Sequence, residues 1–275
     1  MKTAMHGPVA PRHPAHRARA SGIAMAWVSL GAALLVGLTQ LPAHWVAVVL
    51  NHFTQGRVML VEARGTVWNG SAFLALGGGA GSGSVHAWQQ RLQWHMAPSG
   101  LNEFTLKLSE APSSAKAPWV WQLRWLPTGW QVQAGAVDWR LPSQWLIGLG
   151  APWNTIEPQG QVHIASPGWL WQQSGRSWQS QGRFTLTLLD FATRLSSLKP
   201  LGDYELVIEA TPQTRMILKT LQGPLQLAGH GVWHDGKLQF EGEAWALQAQ
   251  DEPVLSNLLG VLGNRNGPRA LLKVG

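Results

Sequence analysis

Cysteine is absent from the 275 residues, which excludes disulfides, thiolate metal sites, iron–sulfur clusters and a cysteine nucleophile. The absence does not bear on compartment, because a chain of this size buries enough apolar surface to fold without cross-links. Charge is scarce as well. Asp, Glu, Lys and Arg make up 13% of the chain against a usual share of about 25%, so few groups remain to cover a water-facing surface. Tyrosine occurs once and phenylalanine six times, whereas tryptophan occurs 17 times. A hydrophobic content of 45% rules against disorder. The 31 glycines and 17 prolines are spread along the length, which argues against a helical bundle and for many short strands joined by turns.

The net charge of +7 is unevenly placed. Lys2, Arg12, Arg17 and Arg19 lie in residues 1–21 with no acid among them, which leaves only +3 for the rest of the chain. Nucleic-acid binding needs a basic face on the folded body, and scattered Arg and Lys do not supply one. From Gly22 to Leu41 the sequence GIAMAWVSLGAALLVGLTQL is uncharged. About 20 residues at 1.5 Å each match a hydrocarbon core of about 30 Å, and the basic stretch before them puts the N-terminus on the cytoplasmic side. A signal-peptide apolar region is shorter, and Leu41-Pro42-Ala43 is a poor cleavage site. An uncleaved anchor is favoured: a cytoplasmic tail at 1–21, a transmembrane anchor at 22–42 and an extracytoplasmic domain at 43–275. Pro42–Phe53 is expected to extend that helix or to lie at the membrane interface, where Trp45 and two histidines are at home.

After residue 57 the apolar period drops to two. RVMLVEARGTVW at 57–68 is the first such run. Phe104, Leu106 and Leu108 alternate with Thr105 and Lys107, and Trp119, Trp121, Leu123 and Trp125 with Val120, Gln122 and Arg124. The same holds for Trp130, Val132 and Ala134, for Val137, Trp139 and Leu141, and for Phe184, Leu186 and Leu188. Tyr204, Leu206 and Ile208 oppose Glu205 and Glu209, and Leu238 and Phe240 oppose Gln239 and Glu241, with Asp235-Gly236 as the turn of the last hairpin. These patterns predict a mainly β fold: an antiparallel, twisted or curved sheet with one solvated face and a few short helices, preceded by one N-terminal transmembrane helix. The tryptophans 119, 121, 125, 130 and 139 are expected to fill the sheet interior; the alternative is an exposed aromatic surface for a protein, lipid or glycan.

Three short helices are predicted. The first is Pro142–Leu149, stopped by Gly150; the second is Phe191–Leu198, with Asp190 as N-cap and Pro200 beyond; the third is Pro253–Leu262, closed by Gly263. The first two precede strands near Gln159–Ala165 and Asp203–Ala210, which suggests a duplicated unit. GGGAGSGS at 77–84 and EAPSSAKAP at 110–118 read as loops, and the second is a candidate subdivision.

Chemistry finds little footing. The 77–83 glycines lack the Lys-Ser/Thr ending of a phosphate loop and have no following helix. His230 and His234 are four apart on a strand with Asp235 beside them, a metal arrangement that is more commonly a polar strand face. No G-x-S-x-G elbow is present, and the histidines of the N-terminal tail cannot serve an extracytoplasmic triad. Glu241 and Glu243 share a strand face, but carboxylates two apart on one strand do not flank a glycosidic bond.

A set of segments lies in order along the chain: the single anchor ending in Leu41-Pro42-Ala43, then Gly65-Thr66-Val67-Trp68-Asn69-Gly70-Ser71-Ala72, Leu201-Gly202-Asp203-Tyr204 and Leu221-Gln222-Gly223-Pro224-Leu225. Gly229-His230-Gly231-Val232-Trp233, Phe240-Glu241-Gly242-Glu243-Ala244 and Leu258-Leu259-Gly260-Val261-Leu262-Gly263 complete it. Together these segments resemble the type II secretion system protein N family. The resemblance implies a bitopic inner-membrane subunit of a Gram-negative machine that exports folded proteins from the periplasm through an outer-membrane secretin. It implies no enzymatic activity and no cofactor; no metal site is expected from the residues either. Gly65, Val67, Trp68, Gly70, Gly202, Tyr204, Gly223, Pro224, Gly229, Gly231 and Gly242 are its motif positions, with a structural role expected of them. The partners expected are other secretion subunits, the secretin or the inner-membrane platform among them, and the membrane, with no nucleic acid and no small-molecule substrate. The alternative is a membrane-anchored lipid- or glycan-binding envelope protein with a Trp-lined groove, and an anchored hydrolase stands third.

Overall fold

A computed structural model describes residues 18–79, 85–111, 117–175, 177–211, 213–234 and 237–274. The chain divides into two units, Met1–Leu41 and Pro42–Gly275. The first contains helix α1 (Ala18–Thr39), whose described side chains begin at Met25 and are exposed. Among the described residues no helix is long and apolar enough to cross a membrane. The side chains at 22–24, the head of the expected anchor, lie outside the described set, as does the basic tail up to residue 17.

The second unit starts with α2 (His44–Phe53) and continues into β1 (Val58–Gly65), β2 (Asn69–Gly77), β3 (Val85–Pro98), β4 (Glu103–Ala111), β5 (Trp119–Leu126), β6 (Gly129–Ala134) and β7 (Val137–Pro142). A 3₁₀ turn (Ser143–Leu149) and the one-turn α3 (Trp153–Ile156) lead to β8 (Gln159–Ser174) and β9 (Ser177–Ala192). Then follow β10 (Gly202–Ala210), β11 (Thr214–Gln222), β12 (Leu225–His234), β13 (Lys237–Ala246), α4 (Glu252–Leu262), β14 (Asn264–Asn266) and β15 (Arg269–Val274). Every described pairing is antiparallel, and the strands form one 15-stranded sheet in near-sequential order. This meander is what short turns between alternating runs produce.

The sheet branches at β8. Gln131–Ala134 of β6 pair with its second half, and Val137–Pro142 of β7 pair with its first. The branch point is a bulge at 166–168. There the Ser166 hydroxyl donates to the Arg183 carbonyl at 2.7 Å and accepts from the Gly168 N–H at 3.1 Å. Gly168 has φ +141°, a conformation that glycine tolerates and that opens the register where one neighbour leaves and the next enters.

Alternation sorts the faces as expected. In β7, Val137, Trp139 and Leu141 are buried and the residues between them exposed. These three join Trp88, Leu92 and Val162 in one core, with Trp145 and Leu146 of the 3₁₀ turn against it. A second core holds Phe191, Leu201, Tyr204, Leu225, Ala244 and Ala270, closed by Leu255, Leu258 and Leu259 of α4. A third, small one sets Ala43 and Val46 against Ala72 and Trp94. The opposite face from β9 to β15 carries cross-strand ion pairs: Arg183–Glu209 at 3.3 Å, Lys219–Glu205 at 2.8 Å and Lys273–Glu241 at 3.0 Å. One face is thus apolar and the other solvated.

Three expectations need correction. Phe191–Leu198 is not a helix: Phe191 and Ala192 end β9, and the rest is irregular. The Thr193 hydroxyl accepts from the Leu195 N–H and the Ser196 hydroxyl from the Leu198 N–H, so side chains take the donors a helix would need. Asp190 is no cap either; its own N–H donates to the Asp203 carboxylate at 2.7 Å. The hairpin at 235–236 is not the last, because β14 and β15 form another; residues 235–236 themselves lie outside the described residues. Finally, Trp125 and Trp130 do not fill the interior, since both are exposed. The predicted first and third helices are present as the 3₁₀ turn Ser143–Leu149 and α4. β4 and β5 pair directly across the 110–118 stretch, of which 112–116 lie outside the described residues, as do 80–84 of the Gly-rich loop.

Candidate docking face

The motif positions gather in three places, and each pairs a glycine with an aromatic ring. Gly70 lies directly opposite Trp94 in the β2–β3 register. A methyl group on Gly70 would enter the Trp94 ring, and the indole N–H donates to the Val67 carbonyl at 3.0 Å. Gly65, at φ +89°, abuts the Asn69 carbonyl, so a side chain there is both strained and blocked. The turn 65–70 is thereby locked onto β3, and the Met96 N–H donates to the Trp68 carbonyl at 2.6 Å.

The second cluster joins 201–204 to 223–225. Gly202 and Gly223 have φ +150° and +123°, and their backbones touch closely enough that a Cβ on Gly223 would overlap Gly202. The Tyr204 hydroxyl lies 3.1 Å from the Leu201 carbonyl and 3.0 Å from that of Leu225, to which it donates. Burial pushes the Tyr204 hydroxyl pKa upward, with the Asp203 charge adding to it, which keeps the phenol a neutral donor. The Leu247 N–H donates to the Pro224 carbonyl at 2.8 Å, tying the turn to the end of β13. In the third cluster Gly231 pairs with Phe240 and Gly229 with Gly242. The Phe240 ring lies over all three glycines; it would meet a Cβ on Gly231 at 3.1 Å and one on Gly242 at 3.2 Å. Trp169 does the same over Gly182, its register partner. Aromatic rings thus shield glycines on neighbouring strands.

The candidate acids and ligands have other engagements. Glu243 is ion-paired with Arg269 and Glu241 with Lys273, both partners on β15. The hydrogen bond from Lys273 holds the Glu241 carboxyl below its ordinary pKa, the opposite of what a general acid requires. His230 pairs in register with Glu241 on this solvated face. No three His, Asp or Glu side chains assemble as a metal site among the described residues; the His234 side chain and Asp235 are outside them.

The tryptophans make the most distinctive surface. Ring contacts run without a break from Trp88 to Trp139 (5.9 Å), Trp119 (5.6 Å), Trp121 (4.8 Å), Trp171 (5.8 Å) and Trp169 (5.6 Å). The row starts fully buried and ends half-buried. At its open end Trp169 and Trp171 line a cleft of about 300 Å³ with Ile208, Met216, Trp233 and Leu238. On the same face, Trp125 and Trp130 stack at 5.8 Å and are 62% and 44% exposed. Helix α4 covers the apolar face where Leu225, Ala244 and Tyr204 lie; among the described residues no helix packs over the end bearing Trp125, Trp130, Trp171 and Trp233. Alternation placed these rings on one face, and what it could not reveal is that the covering helix stops short.

The fold and this surface define an antiparallel β-sheet protein with a partly uncovered, tryptophan-lined face. Residues 56–272 match the family model of the type II secretion system (T2SS), protein N. The match spans most of the chain, which belongs to that family and so has a role in type II secretion, a protein-transport process of the cell envelope. No curated protein and no solved structure matches the chain.

Proposed function

We propose that the protein is a non-enzymatic, single-pass inner-membrane subunit of the type II secretion machinery. Residues 22–42 serve as the anchor, residues 1–21 stay in the cytoplasm, and 43–275 work in the periplasm in a single β-rich domain. Its task is to contact other secretion subunits during export of folded proteins across the outer membrane. The observation that carries this reading is the half-covered apolar face. Trp125, Trp130 and Trp233 are exposed there, and exposed aromatic rings on an apolar floor are what protein interfaces use as anchors. Burying one such ring removes 150–250 Å² from water at about 25 cal/mol per Å², so a few of them suffice to hold a partner.

Deleting residues 43–275 while keeping the anchor should abolish capture of secretion subunits in a crosslinking pull-down. A finer test is Trp125→Ser with Trp130→Ser. Neither ring belongs to a buried core cluster, so the melting temperature should hold while capture and export fall. Unchanged capture by the folded double variant refutes the reading. A second reading, a lipid- or glycan-binding envelope protein, is favoured by the stacked Trp125–Trp130 pair, because sugars and acyl chains pack on such rings. It predicts lipid or glycan, and no secretion subunit, in the same crosslinks.

A further inference from the structure

Helix α2 is apolar on both sides. Its Ala43, Val46, Ala47, Leu50 and Thr54 side, spaced i, i+3, i+4, i+7 and i+11, is buried or half-buried. Ala43 and Val46 pack on Ala72, Trp94 and Leu60. The opposite side of a surface helix ordinarily carries charge. Here the opposite stripe is Trp45, Val48, Val49 and His52, again at i, i+3, i+4 and i+7, with Phe53 on its flank, and all five are exposed. Phe53 is 80% exposed. No Asp, Glu, Lys or Arg occurs between Arg19 and Arg57, so the apolar run at 22–41 passes into α2 without a single charge to hold the helix in water.

We infer that α2 lies flat in the outer headgroup region of the bilayer, with Trp45, Val48, Val49 and Phe53 turned into the lipid and Val46 and Leu50 turned toward the sheet. At 10 residues the helix is about 15 Å long, half of what a span needs, and its far side is taken by β-sheet contacts. It therefore lies on the membrane and does not cross it. Tryptophan and histidine at the ends of an apolar stripe suit the headgroup level, where an amphipathic ring has one side wet. The consequence is that the sheet is held at the membrane surface at a fixed height and tilt by its own first helix, where a bare tether would leave it free. The inference rests on the membrane-anchored reading above but is tested separately from it.

The chain has no cysteine, so single-cysteine variants can each carry one bimane label. Full-length protein with Trp45→Cys, Val49→Cys or Phe53→Cys is reconstituted in phosphatidylcholine vesicles, with Lys219→Cys on the solvated sheet face as the reference. The expected result is a blue shift at 45, 49 and 53 and strong quenching by lipids with a nitroxide near the headgroup end of the chain, at a depth of about 5–10 Å. Lys219→Cys should show neither. Val48→Asp with Val49→Asp, which leaves the sheet-facing residues intact, should return a label at 45 to an aqueous spectrum with unchanged melting. Labels that are wet, or shifted without lipid quenching as a second copy or another protein would cause, overturn the inference. Alkaline carbonate extraction separates the two claims. Resistance without quenching at α2 sinks this inference and leaves the anchor standing, whereas quenching in an extractable protein sinks the anchor and leaves α2.

Discussion

A methyl group added to two glycines should move stability in opposite directions. Gly223 sits at φ +123°, and a Cβ there would overlap the Gly202 Cα and the Leu201 carbonyl, both backbone. A side chain in that region of φ costs about 1–3 kcal/mol, and forcing rigid neighbours apart adds about 1–3 kcal/mol. Gly223→Ala should therefore cost about 2–6 kcal/mol, a fall of roughly 5–20 °C for a domain of this size at about 2–4 °C per kcal/mol. Gly260, in α4, has nothing within 4 Å of its added Cβ and lies on an exposed face of the helix. Gly260→Ala should stabilise by about 0.8–1 kcal/mol through helix propensity and a less floppy unfolded chain. Far-UV circular dichroism melts of the full chain in detergent decide the matter. If both variants shift the same way, or Gly223→Ala melts like the parent, the account of the 201–204 and 223–225 contact is wrong.

Other outcomes follow from named contacts. Tyr204→Phe removes the hydroxyl that donates to the Leu225 carbonyl and should lower stability by about 0.5–1.5 kcal/mol, read by the same melts, whereas Tyr204→Ala opens a cavity and should cost about 3–5 kcal/mol. Trp94→Phe loses the bond to Val67 and should cost at least about 1 kcal/mol, with loosening of the 65–70 turn visible as faster amide exchange. Glu103 accepts from Arg124 at 2.7 Å and from Ser99 at 3.1 Å, and the Arg124 bond holds its carboxyl below the ordinary pKa. A lowered carboxyl pKa adds stability that is present above the unfolded value and is lost as pH falls through the folded one. Glu103→Gln should therefore flatten the acid side of the stability profile below the usual carboxylate range and leave pH 7 to 8 parallel to the parent; an unchanged acid limb counts against it.

The fold was legible where one face is wet and the other dry. Val137, Trp139 and Leu141 alternate in sequence and alternate in burial, because period two along a strand maps straight onto the two faces. That the runs pair antiparallel was legible as well, from the turns between them. What escaped was decided by partners far away in the chain or by side-chain bonds to backbone. The 191–198 stretch reads as a helix, yet the Thr193 and Ser196 hydroxyls accept from the Leu195 and Leu198 N–H groups and divert those donors. Trp125 and Trp139 carry the same local signal, and only the packing of Trp88, Trp119 and the 3₁₀-turn residues Trp145 and Leu146 on the core that holds Trp139 separates an exposed ring from a buried one. The long β8 and its branching could not be read, since a bulge at Ser166–Gly168 lets two strands share one neighbour. At the candidate site the motif glycines were visible as residues. Their use, as floors for Trp94, Tyr204 and Phe240, became clear only from cross-strand register.

The most direct test places a photo-activatable phenylalanine analogue at Trp233 or Met216 on the uncovered face, and at Lys219 or Lys273 on the charged face, in cells that are actively secreting. Adducts with a type II secretion subunit from the first pair and none from the second are what the docking account predicts. Equal adducts from both faces, or adducts only from the charged one, would contradict it.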